Sequence, residues 1–273
     1  MIIEQTYNLL ISRYKNQFEE LTISDVRIGI YLTAVRLSDN SIGTSATLTD
    51  DQPFCAKNNR DFGDFTPLKI RGQKVLDILE TKKENNILLS VRMAVLNAIS
   101  SKIISAGKYK IIENCDPIQL LEINSRKTIT IVGAFQSYIR KISGTRNKLY
   151  VLEMNEEALS EEYKKFFVPA HKYKTILPVS DIVIITGQTL VNRTIDDLLS
   201  EISPGTQVIV TGPSSSIIPD ILFANKVSII GAVRITKPEI LFDIVSEGGT
   251  GFHLFEYCAQ KICILNEDEE QIK

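Results

Sequence analysis

"IITGQTLVNRT", Ile184 to Thr194, decides how this chain is read. It closes a run that begins at Ile182 and Val183, so five apolar or β-branched residues arrive at a glycine. The chain then places Gln188, Thr189, Asn192 and Thr194 around a short Leu-Val pair before a helical pattern starts. A continuous apolar run of this length is the pattern of a strand buried on both faces of a parallel sheet. A glycine at its end is where a tight turn hands the chain to a helix.

The same grammar recurs from Thr128 onward in "TITIVGAF", "KLYVLEMN", "QVIVTGPS", "VSIIGAVRI" and "KICIL". Helix-compatible segments fall between them, over 136–142, 156–166, 194–202, 217–224, 238–246 and 253–260. Gly133, Gly187, Gly212 and Gly231 read as strand ends. Strand, glycine, helix, repeated, predicts an α/β fold with a doubly wound, Rossmann-like sheet over residues 126–273.

The first 125 residues read differently. Residues 26–34 alternate, with Val26, Ile28, Ile30, Leu32 and Ala34 on one parity, and the parity switches at Val35, which predicts a bulge or strong twist. "SDNS", Ser38 to Ser41, reads as a turn and "IGTSATL" as the next strand. A polar loop holding Cys55 and Phe62 follows, then a helix from about Gly72 and a longer one over 86–104. That longer helix is expected to bury Leu88, Val91, Ala94, Val95, Ala98 and Ile99, with Ser90, Met93, Asn97, Ser100 and Ser101 on its other side. The half is α+β, and residues 107–127, with Asp116-Pro117, carry the chain across.

Composition narrows the function. Apolar content of 44% and charged content of 23% over 273 residues are those of a globular protein of about two domains. A net charge of -2 with scattered Lys and Arg offers no basic stripe for nucleic acid. No apolar stretch is read as reaching the ~20 residues of a membrane span. The N-terminus reads as an amphipathic helix rather than a signal peptide. Four irregularly spaced cysteines are no disulfide framework, so the expected location is the cytoplasm.

In an open parallel sheet ligands collect at the carboxyl ends of the strands. The turn "VGAF" places Gly133 and Phe135 there, but lacks the further glycines of a dinucleotide fingerprint, so NAD or FAD in the usual mode is not expected. Glu153, at the end of the second strand, is either an acceptor for a ribose diol or a solvated acid. Thr186, Gly187, Thr189, Asn192 and Thr194 are either turn punctuation with an Asn192 cap or one rim of a site. Gly212, Pro213 and Ser214 lead into serines at a helix start, which either cap it or favour an anion. Glu247, Gly248 and Gly249 stop a helix and would bring a carboxylate to the same rim. His253, Cys258 and Cys263 match no zinc spacing, and no metal site is expected.

"LPVSDIVIITGQTLVNRTIDDLL", "GPSSSIIPDILF" and "SEGG", in this order, resemble the Rossmann-like domain of the putative heavy-metal chelation family of bacteria and archaea. "VRIGIYLTAVRL", "GTSATL" and "AVLNAIS" resemble its partner domain, of enolase N-terminal-like fold. The resemblance spans nearly the whole chain. It implies a small-molecule site between the domains and a metabolite of siderophore, pterin or flavin type linked to metal handling. It adds Asn97 to the rim residues already named. The expected partner is a polar or anionic small molecule; a homodimer, the cofactor and any catalytic residue are left open. Two alternatives stand beside it: a regulatory or carrier protein using the same cleft, and an S-adenosylmethionine-dependent methyltransferase-like enzyme with Glu153 on the ribose.

Overall fold

The computed structural model describes residues 1–49, 62–83 and 85–267; Cys55 and most of the polar loop around it lie outside them. The first half opens with α1 (Ile2–Tyr14), followed by β1 (Ile23–Ile28), β2 (Leu32–Leu37) and β3 (Ile42–Ala46) in an antiparallel sheet of that order. Helices α2 (Val75–Glu80) and α3 (Asn86–Ser105) complete it. The Asn85 side chain caps α3 by accepting from the Leu88 amide at 2.8 Å.

The run read as one strand over 26–34 is in fact two. The chain reverses at Gly29–Tyr31, closed by a bond from the Gly29 amide to the Leu32 carbonyl at 2.9 Å. Alternation misled because apolar residues continue on the expected parity straight through the turn. Tertiary contact decides it: a Cβ at position 29 would sit 2.2 Å from the Val245 carbonyl oxygen, so only glycine lets the reversal lie against the second half.

Helix α3 also differs from expectation. It is apolar and long enough to cross a membrane by length and composition, so the reading that no stretch qualifies is corrected. Here it is the central helix of the fold, buried on every side: Ser90, Met93, Asn97 and Ser100 are as enclosed as Val91 and Ala98. An all-round apolar helix is the pattern of a core helix.

The second half adds β4 (Lys110–Glu113), β5 (Thr128–Val132), α4 (Gln136–Ser143), β6 (Lys148–Glu153), β7 (Phe167–Pro169), α5 (Tyr173–Ile176) and β8 (Ile182–Thr186). Then come α6 (Gln188–Val191), α7 (Ile195–Ser200), β9 (Gln207–Thr211), α8 (Asp220–Ala224), β10 (Val227–Ile235), α9 (Pro238–Ser246), α10 (Gly251–Tyr257) and β11 (Ala259–Leu265). One eight-stranded sheet runs β4-β11-β10-β9-β8-β5-β6-β7. Its six strands from β10 to β7 are parallel, while β11 pairs antiparallel with both β10 and β4. Numbered from β5, the parallel strands follow the order 3-2-1-4-5-6 of dinucleotide-binding sheets.

Successive residues serve opposite faces, as strand geometry requires. Ile182 and Ile184 pack with Tyr138, Ile139 and Ile142 of α4. Val183 and Ile185 pack with Leu190, Ile195 and Leu198, in a core that runs without a break into Val91, Ala94 and Val95 of α3. The fold is therefore mixed α/β, with the antiparallel sheet set against the parallel-rich one.

Four local expectations are corrected. Gly231 is no strand end but lies inside β10, where a Cβ would meet Thr211 Oγ1 at 2.2 Å and Pro117 at 2.5 Å. Residues 156–166 form two separate 3-10 turns instead of one helix. Strand "KICIL" belongs to an antiparallel edge. The helix expected from Ile217 begins only at Asp220.

Candidate functional site

The strand order reverses between β5 and β8, and ligands of such sheets bind in the crevice that opens there. A cleft of about 560 Å³ lies at this place. Gly133 turns the chain out of β5 with φ +104°, a conformation that L side chains rarely adopt. A Cβ there would also press on Thr186 at 3.2 Å, so the carboxyl ends of β5 and β8 approach through this glycine. Val132 and Leu152 lie beneath, with Phe135, Met154, Tyr173 and Leu198 as further apolar and aromatic walls. The polar lining is Glu153, His171, Thr186, Gln188, Thr189, Asn192, Thr194 and Asp197.

Some of these polar groups are already engaged. Glu153 Oε1 accepts from the Met154 amide at 2.6 Å, which fixes the carboxylate at the strand end. Thr186 Oγ1 accepts from the Gln188 amide at 3.3 Å, and buried Thr189 donates to the Thr186 carbonyl at 2.7 Å. Asn192 Oδ1 accepts from both the amide and the hydroxyl of Thr194, at 3.2 and 2.8 Å. That closes an Asx turn in which Arg193 takes φ +62°. Asn192 thus makes a turn with its oxygen while lining the cleft.

The cleft brings together Gly133, Phe135, Glu153, Thr186, Thr189, Asn192 and Thr194, all from the second half, so it is not the site between the halves that the resemblance implied. The other expected residues stand elsewhere. Gly187 is buried against Ser215, its amide bonded to the Thr211 carbonyl at 2.7 Å. Gly212 takes φ +127° beside it. Pro213 and Ser214 lie on the seam between the halves: the Pro213 carbonyl accepts from Thr44 Oγ1 at 3.0 Å, and Ser214 Oγ accepts from the Ala46 amide at 2.7 Å. Asn97 completes that seam from α3, donating to the carbonyls of Thr44 at 2.7 Å and Ser214 at 3.1 Å. It is fully enclosed, not on a surface. Glu247, Gly248 and Gly249 end α9, with the Gly249 amide bonded to the Ile244 carbonyl at 2.8 Å and Gly248 facing Ile30.

The serines expected at a helix start do not offer an anion site. Ser215 donates to the Gly231 carbonyl at 2.6 Å and Ser216 accepts from the Val233 amide at 3.0 Å, several residues before α8. A second cavity of about 340 Å³ does lie between the halves, lined among others by Asp39, Lys102, Ser216 and Arg234. Asp39 and Lys102 pair there at 2.8 Å, and Arg234 pairs with Glu113 at 2.5 Å. Of the residues weighed as site candidates among the described residues, only Ser216 of the helix-start serines lines it.

His171, Tyr173, Met154 and Asp197 escaped the sequence reading, whereas Gln188 stood in the stretch that opened it. Asp197 was within reach of it: it follows Thr194 by three positions in a segment already read as helical, so it rises beside the same turn. His171 and Tyr173 were not, because three-residue β7 gives no periodic signal. Among the described residues no group of three or more His, Cys, Asp or Glu could hold a metal ion.

Residues 116–264 match the model of a family described as "putative heavy-metal chelation", and residues 11–100 match a second model of the same description. The fold is that of a protein of unknown function from Pyrococcus horikoshii, 21% identical, covering 97% of this chain and 98% of that one, with a TM-score of 0.75. A second, from Desulfitobacterium hafniense, is 18% identical with the same coverage and a TM-score of 0.71. No curated protein matches the chain.

Proposed function

Because the chain belongs to the family described as "putative heavy-metal chelation", we propose that it binds a planar heteroaromatic metabolite bearing hydroxyl groups, of the nucleoside, pterin or flavin class, in the cleft at the β5–β8 switch point. The observation that carries this reading is the convergence of Gly133, Glu153 and Thr186 on one crevice with aromatic and apolar walls. In this reading Phe135 and Tyr173, both lining the cleft, offer ring faces to a flat ligand, and the Glu153 carboxylate accepts from a diol. Heavy metal enters as cargo of a chelating ligand, whose ring nitrogens and oxygens are the donors, while the chain grips the organic frame.

Native mass spectrometry of protein purified without a stripping step tests this. An adduct of metabolite mass is expected. Glu153→Gln should weaken it by about tenfold, the worth of a hydrogen bond to a charged group. Retention unchanged by substitutions at Glu153, Thr186 and Phe135 would overturn the reading. Conversion of the adduct on incubation distinguishes an enzyme from a carrier.

A second reading, S-adenosylmethionine in the same cleft, is favoured by the acid at the end of β6 beside a β5–α4 turn without a phosphate cradle. Calorimetry decides it, and no heat at millimolar ligand removes it.

A further inference from the structure

We propose that this cleft selects unphosphorylated ligands, so that it takes the nucleoside or flavin in its neutral or cationic form and rejects the corresponding nucleotide. The inference rests on the heteroaromatic reading above and narrows its ligand class. Three observations converge on it.

The first is in the backbone. Sites for phosphate in this kind of sheet present free amides from the turn after the first strand. Here three of those amides are engaged: Gly133 donates to the Leu152 carbonyl at 3.0 Å, Phe135 to the Gly133 carbonyl at 3.0 Å and Gln136 to the Ala134 carbonyl at 2.9 Å.

The second is the Phe135 side chain. Its ring stacks on Tyr138 at 5.4 Å with an interplanar angle of 21°, and its Cε2 lies 3.7 Å from where a Gly133 Cβ would be. The ring thus covers the turn that a phosphate would have to approach.

The third is charge. Among the described residues the titratable side chains lining the cleft are the carboxylates of Glu153 and Asp197, the His171 imidazole and the Tyr173 phenol, with no Lys or Arg. Lys172, Lys174 and Arg193 are sequence neighbours of lining residues but do not line it, and the Lys174 ammonium lies 5.9 Å from the Tyr173 ring centroid. A phosphate in this cleft would meet two like charges and find no fixed cation, which is discrimination by repulsion.

The test uses two matched pairs, riboflavin with flavin mononucleotide and adenosine with adenosine 5′-monophosphate. Calorimetry at about 0.1 M salt, where exposed charges are partly screened, reads each affinity with the full-length protein and with Asp197→Asn. In at least one pair the unphosphorylated member is expected to bind about tenfold or more tightly, and Asp197→Asn should narrow that gap. Equal or tighter binding of the phosphorylated member overturns the selectivity and leaves the heteroaromatic site standing. A gap that Asp197→Asn leaves unchanged overturns its assignment to the carboxylates. If no member of either pair binds, the heteroaromatic reading falls as well, and this proposal with it.

Discussion

Asn97 spends its amide nitrogen on two carbonyls from different halves of the molecule, Thr44 and Ser214, in a place without solvent. Asn97→Leu would leave both acceptors unpaired, and each buried loss costs about 1–3 kcal/mol. Urea unfolding should therefore show about 2–4 kcal/mol less stability, with ligand affinity in the cleft unchanged. A stable variant that had lost ligand would move Asn97 from the seam into the site. Gly133, Thr186 and Glu153 were legible in the sequence because a strand-end glycine and an acid at a strand end have a fixed meaning in a parallel sheet. Asn97 and Ser214 were not legible as seam residues. Nothing local in "LNAIS" or "GPSSS" shows that the edge of β3, forty or more residues from either, will arrive against them.

Among the elements, β3 and α3 approach backbone to backbone, and a glycine sets it. A Cβ at Gly43 would stand 2.1 Å from the Ala94 carbonyl oxygen and 2.3 Å from the Ala98 amide nitrogen, both backbone atoms that cannot swing aside. Gly43→Ala should cost about 3 kcal/mol or more, at the upper end for overpacking. Gly107→Ala is the contrast: nothing lies within 4 Å, and only the φ of +86° opposes it, at about 1–2 kcal/mol. Equal losses for the two in thermal or urea melts would contradict the packing account. Glycines also mark where element reading failed. Gly29 and Gly231 each permit a contact with a distant carbonyl or side chain, whereas Gly133 and Gly212 do end strands. Local sequence cannot tell a glycine chosen for its backbone from one chosen for its missing Cβ. The parallel strands were legible because burial on both faces writes an unbroken apolar run, which β8 and β9 carry in full.

Across the whole molecule, Asp116 ties the connector between the halves to both the antiparallel strand β11 and a helix. Its carboxylate pairs with Lys261 of β11 at 2.5 Å and accepts from the hydroxyl of Tyr138 on α4. Burial alone would raise its pKa, but the bonds from Lys261 and Tyr138 outweigh burial and hold it below the usual carboxylate value. A group depressed in the folded state contributes stability above its unfolded pKa of about 3.9 and loses it as pH falls through the folded value. Asp39 is lowered in the same direction by Lys102 and Ser41, against its own burial, and adds to the trend. Unfolding free energy should thus drop steadily below about pH 4. Asp116→Asn should cost about 1.5–3 kcal/mol at neutral pH and flatten that drop; curves that stay parallel would contradict the assignment. The central claim is that the cleft at the β5, β6 and β8 ends is where this protein holds its ligand. A crystal structure of protein soaked with the tightest binder of the riboflavin and adenosine pairs tests it most directly. The account predicts a flat ring between Phe135 and Tyr173 with a hydroxyl on Glu153; density instead beside Asp39, Lys102 and Arg234, between the halves, would contradict it.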